Sequence, residues 1–174
     1  LIGDHKQLPP VVQDAPELET SLFERLIETY PAASVMLDRQ YRMSQRIQAF
    51  PSREFYDDAL RPATAEVAGQ RLGDLTGVDA SRLPTHLQDG VCFVDPDGHA
   101  EGNTNPAEAD AVLETVQAYL DVGVPPEDVG VIAPYRAQVA EIGKRVPAGV
   151  TVDTVDRFQG SSKEVIVVSF VATG

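Results

Sequence analysis

Short apolar runs alternate with amphipathic patterns in the second half of the chain. Three runs rich in β-branched residues have the length of strands: Val129–Ala133, Val150–Val155 and Val165–Val171. A helical spacing of apolar residues, Ala137–Arg145, separates the first two runs. The last run contains consecutive apolar residues without the alternation of a half-exposed strand, which favours a sheet covered on both faces. The order of strands and helices predicts an α/β fold with a parallel sheet.

Apolar spacing predicts three further helices elsewhere in the chain. They are Glu17–Tyr30 with a cap at Thr20 or Ser21, Ser44–Phe55, and a helix from Asn105–Pro106 to about Gly123. On the second of these helices we expect Ile47, Phe50 and the Phe55–Tyr56 pair to face inward, as core aromatic residues usually do. The segments Ser34–Leu37 and Val91–Val94 have the composition of short strands. The stretch between residues 60 and 90 has no lasting periodicity and predicts a long connection with one helical turn.

Composition limits the size of the hydrophobic core and indicates the cellular compartment. The chain has 174 residues, 43% of them hydrophobic, which is enough for one substantial core. No apolar run approaches the length of a membrane span and no signal-peptide pattern opens the chain, so we expect a cytoplasmic protein without membrane contact. The single cysteine, Cys92, excludes an internal disulfide, and its apolar neighbours predict a buried thiol. His86 and His99 have no ligand spacing with nearby carboxylates, and we predict no metal site.

The net charge of −13 argues against a general attraction for nucleic acid. Eleven arginines accompany only three lysines, and Asp outnumbers Glu. An acidic surface with few lysines is typical of a halophilic protein, whose surface charges are screened by salt. An ordinary acidic domain is the equally weighted alternative. In either case, contacts with nucleic acid have to be local.

A polar loop with Phe158, Gln159 and Gly160 lies between the last two strand-like runs. In α/β sheets, loops beyond the carboxyl ends of strands hold ligands, and we expect this loop there. Its glycine would let backbone amides approach a charged group closely. The alternative is that this glycine only allows the chain to turn.

The segment Thr151–Val171 resembles motif V of superfamily 1 nucleic-acid helicases, in the branch that contains the RNA-surveillance helicases and the replication nuclease-helicases. Gly3–Pro10 resembles motif III and Leu37–Met43 resembles motif IV. Two further segments, Phe50–Tyr56 and Val131–Tyr135, match this branch in the expected order. Five ordered matches are far more specific than any one of them.

This resemblance implies a RecA-like parallel sheet with helices on both faces, the second motor domain of such a helicase. Residues 1–12 would be the tail of the first RecA-like domain, 13–33 a connecting helix, and 34–174 the second domain, truncated before motif VI. An apolar start without a methionine indicates a fragment, and no glycine-rich phosphate loop with its lysine occurs. The resemblance implies ATP and Mg²⁺ as cofactors, with the main binding loop outside this chain. Its implied partners are single-stranded nucleic acid, with DNA favoured over RNA, the first RecA-like domain and, in part of the branch, an attached nuclease domain.

The resemblance also nominates site residues. Arg42 would reach the γ-phosphate, and Gln7 would lie between that phosphate and the bound strand; a surface salt bridge to Asp38 is the alternative for Arg42. The nucleotide-binding set is Gln40, Tyr41, Gly160 and Ser162, with Tyr41 either stacking on adenine or packing against the sheet. The set that contacts the strand is Pro9, Pro134, Tyr135, Thr154 and Asp156.

The chain departs from the family pattern in three places. Ser162 stands where a glutamate is usual, Ala172 stands where an arginine is common, and motif VI is absent. We therefore expect no ATP turnover by this chain alone. Two alternatives are a degenerate helicase-like module that binds protein or nucleic acid without ATPase activity, and an unrelated nucleotide-binding α/β domain, which the ordered motifs disfavour.

Overall fold

The computed structural model describes residues 1–9, 11–12 and 19–171. Contacts divide the chain into two compact units, Leu1–Gly69 and Gln70–Gly174, which are described separately below. Pro10, the predicted helix start at Glu17, and Ala172 lie outside the described residues. The domain boundaries at residues 12 and 33 stay a prediction. Within the described part of the chain, no helix is both long and apolar enough to cross a membrane.

The first unit contains three helices and a two-stranded parallel ribbon. In chain order these are α1 (Leu22–Thr29), β1 (Arg39–Gln40), α2 (Gln45–Phe55), β2 (Arg61–Pro62) and α3 (Ala65–Gly69). Ser21 caps α1, because its hydroxyl oxygen accepts a hydrogen bond from the Glu24 amide at 3.1 Å. The strand prediction for Ser34–Leu37 is wrong: these residues pair with no other residue that the structure describes, and the ribbon begins two residues later.

Helix α2 has the predicted bounds but buries a different face. Ile47, Phe50 and Phe55 are 44%, 59% and 48% exposed, so the expectation that they face inward is wrong. The buried residues are Gln48 and Ser52, which donate hydrogen bonds to the Leu60 carbonyl at 2.7 and 2.9 Å. This polar face satisfies a main-chain carbonyl at the entry to β2 that would otherwise lack a partner.

The second unit is built on a three-stranded parallel sheet. Its elements are α4 (Pro106–Asp121), β3 (Val129–Ile132), α5 (Arg136–Gly143), β4 (Thr151–Asp153), α6 (Val155–Phe158) and β5 (Val165–Val168). The strand order is β4-β3-β5, with Val129 opposite Val165 and Val131 opposite Val152. Asn105 caps α4 by accepting from the Glu108 amide at 3.2 Å. The predicted alternation of strands and helices in a parallel sheet is therefore confirmed.

The core of this unit lies on one face of the sheet. Val129 and Val131 are fully buried against the apolar stripe of α4 and against Ile142 of α5. On the other face, the Phe158 ring of α6 lies against Gly130. Ile166 and Val168 are 44% and 46% exposed on that face, so the expectation that β5 is covered on both faces is wrong. Burial alternates along the edge strand β5 because α4 and α5 cover only one face of the sheet.

Two further predictions fail in the segment before α4. Val91–Val94 has no ladder partner among the described residues and is not a strand, and Cys92 is exposed. An apolar run becomes a strand only when another strand accepts its hydrogen bonds, so composition alone misleads here. The stretch from residue 60 to 90 is more regular than expected, with β2, α3 and three short 3₁₀ turns. Leu83 and Leu87 from this stretch join the core.

Candidate functional site

Asp4 organises the loop that carries Gln7 in the first unit. Its carboxylate accepts three hydrogen bonds, from the Lys6 amide at 3.0 Å, the Gln7 side-chain amide at 2.8 Å and the Tyr56 hydroxyl at 2.6 Å. Gln7 is thus held by its nitrogen, which leaves its carbonyl oxygen for other partners. Pro9, the predicted strand contact of this loop, is exposed.

The contact between Asp4 and Tyr56 shifts both pKa values. Burial raises the pKa of Tyr56 to about 12, and the hydrogen bond to the Asp4 carboxylate adds to this shift. For Asp4, burial acts to raise the pKa, but the hydrogen bonds from Tyr56, Gln7 and the Lys6 amide outweigh it and lower the pKa overall. Sequence reasoning treated Tyr56 as a core aromatic residue, because nothing local in the sequence indicates a partner 52 residues away.

Gln40 closes the loop that follows β1. Its side-chain oxygen accepts from the amides of Arg42 and Met43 at 2.8 and 2.7 Å. Its side-chain nitrogen donates to the Met43 carbonyl at 2.7 Å and to Gln48 at 3.1 Å. All four hydrogen-bonding positions of this amide are therefore engaged within the unit. No pattern in the sequence indicates Gln48, which links this loop to the Leu60 carbonyl.

Arg42 projects from the loop that Gln40 closes. Its main-chain amide is fixed, whereas its guanidinium makes no salt bridge or hydrogen bond with any residue in the described part of the chain. The alternative of an Arg42–Asp38 salt bridge is not observed, because Asp38 lies 3.8 Å from Arg39 instead. Tyr41 is 72% exposed, so it does not pack into a core. The loop therefore presents a free planar cation beside an exposed ring.

Two predicted strand-contacting pairs share the carboxyl edge of the second unit's sheet. Pro134 and Tyr135 follow β3, and Thr154 and Asp156 follow β4. Because these strands are parallel neighbours, their carboxyl ends meet at one edge. Tyr135 is 44% exposed and Asp156 is also exposed, whereas Thr154 is half-buried.

The loop between α6 and β5 leads from that edge back across the sheet. Phe158 lies over the middle of β3, where a Cβ added at Gly130 would be 2.7 Å from its ring. The Lys163 ammonium then donates to the Glu127 carbonyl, and the Glu164 amide donates to the Asp128 carbonyl at 3.0 Å. These contacts are at the amino ends of β3 and β5. Because β4 and β5 are parallel, the chain has to pass from the carboxyl end of β4 to the amino end of β5. Only the start of this connection therefore lies at the carboxyl edge.

Gly160 and Ser162 lie on this return path. The expectation that the whole loop lies beyond the carboxyl ends is therefore wrong, and these two residues are separated along the path from Pro134 and Thr154. Gly160 has φ +82°, and no atom lies within 4 Å of the position of a Cβ. Its backbone conformation explains the glycine, as in a turn. Ser162 is exposed.

A buried polar cluster fixes the carboxyl end of β5. The Gln138 side chain accepts from the Asn105 amide at 2.8 Å and donates to the Asn105 carbonyl and the Ser169 hydroxyl, both at 3.1 Å. Gln138, Asn105 and Ser169 are 0%, 2% and 2% exposed. Glu108 accepts from Ser169 at 2.5 Å and from the Val171 amide at 2.9 Å. Sequence reasoning noted Asn105 only as the start of a helix and did not identify the cluster.

The backbone after β5 is strained. Val171 has φ +64°, a conformation that β-branched residues rarely adopt, and its side chain is only 3% exposed. The hydrogen bond from its amide to Glu108 holds this turn. Strain that is kept in place by buried contacts is frequent near functional loops. No group of three or more His, Cys, Asp and Glu side chains that could hold a metal ion occurs among residues 1–9, 11–12 and 19–171.

A parallel α/β sheet of this order, joined to helicase-like motifs, defines a RecA-like unit of a superfamily 1 helicase. A protein-family model described as an AAA domain matches residues 18–174, and the chain belongs to this helicase family.

Three curated relatives are similar over 98% of this chain. They are the DNA replication ATP-dependent helicase/nuclease JHS1 of Arabidopsis thaliana (36% identical), the DNA polymerase alpha-associated DNA helicase A of Saccharomyces cerevisiae (35%) and the DNA-binding protein SMUBP-2 of Rattus norvegicus (38%). The chain spans 14%, 29% and 19% of their respective lengths. It corresponds to less than a third of each relative.

Proposed function

We propose that this chain is part of an ATP-dependent helicase that translocates along single-stranded nucleic acid, with DNA favoured over RNA. Membership of the helicase family supports the class of activity. The names of two similar proteins, a DNA replication helicase/nuclease and a DNA helicase associated with DNA polymerase alpha, support DNA as the substrate. Similarity to the DNA replication helicase/nuclease is the observation that supports an attached nuclease domain in the full-length product.

The observation that carries the proposal is the guanidinium of Arg42, which has no partner among residues 1–9, 11–12 and 19–171, on a loop closed by Gln40. A guanidinium offers planar, permanently charged donors that match phosphate oxygens. ATP with Mg²⁺ would supply the hydrolysis that drives movement, with its main phosphate loop outside this chain. Arg42 fits the role of a residue that contacts the terminal phosphate. Gln40 acts by shaping the loop, because its amide has no free hydrogen-bonding position.

Gln7 and Tyr41 complete the proposed nucleotide-facing set in the first unit. Asp4 fixes the nitrogen of Gln7, so its carbonyl oxygen can accept from a water or a backbone N–H. The exposed ring of Tyr41 offers a flat apolar surface on which a base can stack. Gly160 and Ser162 are the corresponding proposals in the second unit.

The strand would run along the carboxyl edge of the second unit's sheet. Pro134 and the exposed Tyr135 offer apolar surface, and Thr154 offers a hydroxyl. The Asp156 carboxylate would repel phosphate at close range, so it suits a contact with sugar hydroxyls or bases. Such contacts bind the backbone and bases without much sequence preference.

The test is ATP hydrolysis by the full-length product in the presence of saturating single-stranded DNA or RNA. Arg42→Ala should reduce turnover about a thousandfold or more, because such arginines act mainly on the transition state. Nucleotide affinity should change little, since the phosphate loop supplies most ground-state contacts. Arg42→Lys should rescue poorly, because an ammonium lacks the planar fork.

Arg82→Ala is the matched control, since Arg82 is an exposed arginine on a short 3₁₀ turn of the second unit. It should leave turnover unchanged. If Arg42→Ala hydrolysed ATP at the parent rate, the proposed role of Arg42 would be wrong. If the unsubstituted protein bound strands but hydrolysed no ATP, the degenerate binding module would replace the motor, and the serine at position 162 would suit that outcome.

A further inference from the structure

An open cavity of about 650 Å³ lies within the first unit, apart from the Arg42 loop. Its walls are α2, the ribbon formed by β1 and β2, and the start of α3. Three arginines line it, Arg39 from β1, Arg53 from α2 and Arg61 from β2. None of them is among the site residues that the resemblance nominates, although Arg39 and Arg53 lie within the matched segments Leu37–Met43 and Phe50–Tyr56. The cavity therefore needs its own explanation.

The ribbon register places two of these arginines side by side. Arg39 is directly opposite Arg61 in the parallel pairing, and both side chains line the cavity. Like charges at directly opposite positions of paired strands are destabilising unless a counter-charge lies between them. Asp58 is the one carboxylate among the lining residues. Three arginines and one carboxylate residue thus line the cavity, and two further carboxylates, Asp38 and Glu54, lie beside Arg39 and Arg53 outside the lining.

The arginines are not committed to strong ion pairs elsewhere. Asp38 lies 3.8 Å from Arg39 and Glu54 lies 2.7 Å from Arg53, but both pairs are exposed and neither carboxylate lines the cavity. Exposed pairs of this kind contribute little stability. Arg61 forms no salt bridge or side-chain hydrogen bond with the residues that the structure describes.

This local positive charge stands against the overall charge of the chain. Five of the eleven arginines and three carboxylates fall between residues 39 and 61, an excess of two positive charges in a protein with a net charge of −13. A chain this acidic can bind a polyanion only where basic residues are concentrated. Among the described residues of the first unit, the cavity is such a place.

We propose that this cavity binds the phosphodiester backbone of the translocated strand, through Arg39, Arg53 and Arg61. The inference rests on the proposed helicase function and adds a second contact region to it. The guanidinium groups suit phosphate oxygens, which they bind with paired N–H donors. No aromatic side chain lines the cavity, so bases have no stacking surface there and the contact reads backbone rather than sequence.

The experiment measures binding of a fluorescently labelled single-stranded oligonucleotide by anisotropy, using the full-length product over a series of salt concentrations. Arg39→Ala, Arg53→Ala and Arg61→Ala should each weaken binding about three- to tenfold and reduce the slope of log affinity against log salt by about 0.7 per lost contact. Arg61→Lys should retain the slope because it keeps the charge. Arg82→Ala should change neither quantity.

An oligonucleotide without bases should show the same dependence on these arginines, since the contact is with the backbone. Thermal melting of each variant, followed by circular dichroism, separates loss of contact from loss of fold. A variant that melts like the parent but binds with unchanged affinity and unchanged slope contradicts the proposal. Binding of inorganic pyrophosphate is measured on the same variants by isothermal titration calorimetry. If the substitutions abolish pyrophosphate binding but leave strand binding unchanged, the proposal is overturned in favour of a site for free phosphate.

The failure of this inference is distinguishable from that of the proposed function. Strand binding that is insensitive to all three substitutions, together with normal ATP hydrolysis, removes the cavity contact and leaves the helicase. If strand binding depends on these arginines but the protein hydrolyses no ATP, the cavity contact is supported and the proposed motor function is wrong. No strand binding by the unsubstituted protein overturns both.

Discussion

Gln138 offers the sharpest test of how the second unit is held together. We expect Gln138→Leu, which preserves most of the side-chain volume, to lower the free energy of unfolding by about 3 kcal/mol. The substitution leaves the buried Asn105 amide without a partner, which costs about 1–3 kcal/mol. The Asn105 carbonyl keeps a bond from Ala109 and Ser169 keeps Glu108, so these two groups lose only about 0.5–1.5 kcal/mol each.

The assay is urea unfolding followed by circular dichroism. With a denaturant slope of about 2 kcal/mol per molar, the midpoint should fall by about 1–2 M. Gln117→Leu on α4 is the control, since Gln117 is exposed and its one side-chain bond is to Asp121 at 2.6 Å. It should change stability by less than about 0.5 kcal/mol. Equal effects of the two substitutions would refute the reasoning that the buried amide stabilises this unit.

Gln138→Glu separates hydrogen bonding from shape. The new carboxyl group would be buried near Glu108, so its pKa should be raised above the ordinary value of about 4.3. Since the folded state then holds the proton more tightly than the unfolded state, this variant should lose stability relative to the parent as the pH rises above that value. A constant difference between variant and parent from pH 4 to pH 7 would contradict burial of the new group.

Three other predictions concern the rest of the chain. Tyr56→Phe should raise the pKa of Asp4 towards its ordinary value, measured by carbon-13 NMR titration; because the folded pKa is lowered, the small stabilisation from this carboxylate is present above the unfolded pKa and is lost as the pH falls through the folded one. Gly160→Ala should cost about 1 kcal/mol in a melting experiment because of its φ of +82°, whereas Gly143→Ala, at a site with equal space but in α5, should be neutral or stabilising. Equal effects at the two glycines would argue against backbone strain. If the acidic surface reflects a halophilic origin, the melting temperature should rise steeply in molar KCl, and a flat profile would indicate an ordinary acidic domain.

The parallel sheet could be predicted from sequence because its signals are local. β-Branched runs with helical patterns between them, and the Asn105–Pro106 helix start, depend on residues that are neighbours in the chain. The inward face of α2 could not be predicted in this way. Its buried residues are polar because they serve the Leu60 carbonyl, and a hydrophobic pattern records only apolar burial. The strand prediction for Val91–Val94 was wrong for a related reason, since strand formation depends on a partner strand that composition does not show.

In the candidate site, too, local motifs could be predicted from the sequence and long-range contacts could not. Arg42 and Gln40 were identified through a motif, but the function of Gln40 in shaping the loop depends on four hydrogen bonds that no motif describes. Tyr56 and Ser169 were missed because their partners, Asp4 and Glu108, lie 52 and 61 residues away. Long-range polar pairs leave no periodic signal in a single sequence.

Both units use a glutamine amide where a loop has to be held in shape. Gln40 bonds two amides and a carbonyl of its own loop, and Gln138 bonds the amide and the carbonyl of Asn105. An amide can donate and accept at the same time and carries no charge, so it fixes main chain without a titratable group. In the first unit this leaves the Arg42 guanidinium as the uncommitted charge of the loop. The loop is therefore rigid at its base and free at the group that we propose meets phosphate, which is the arrangement that precise positioning of a charge requires.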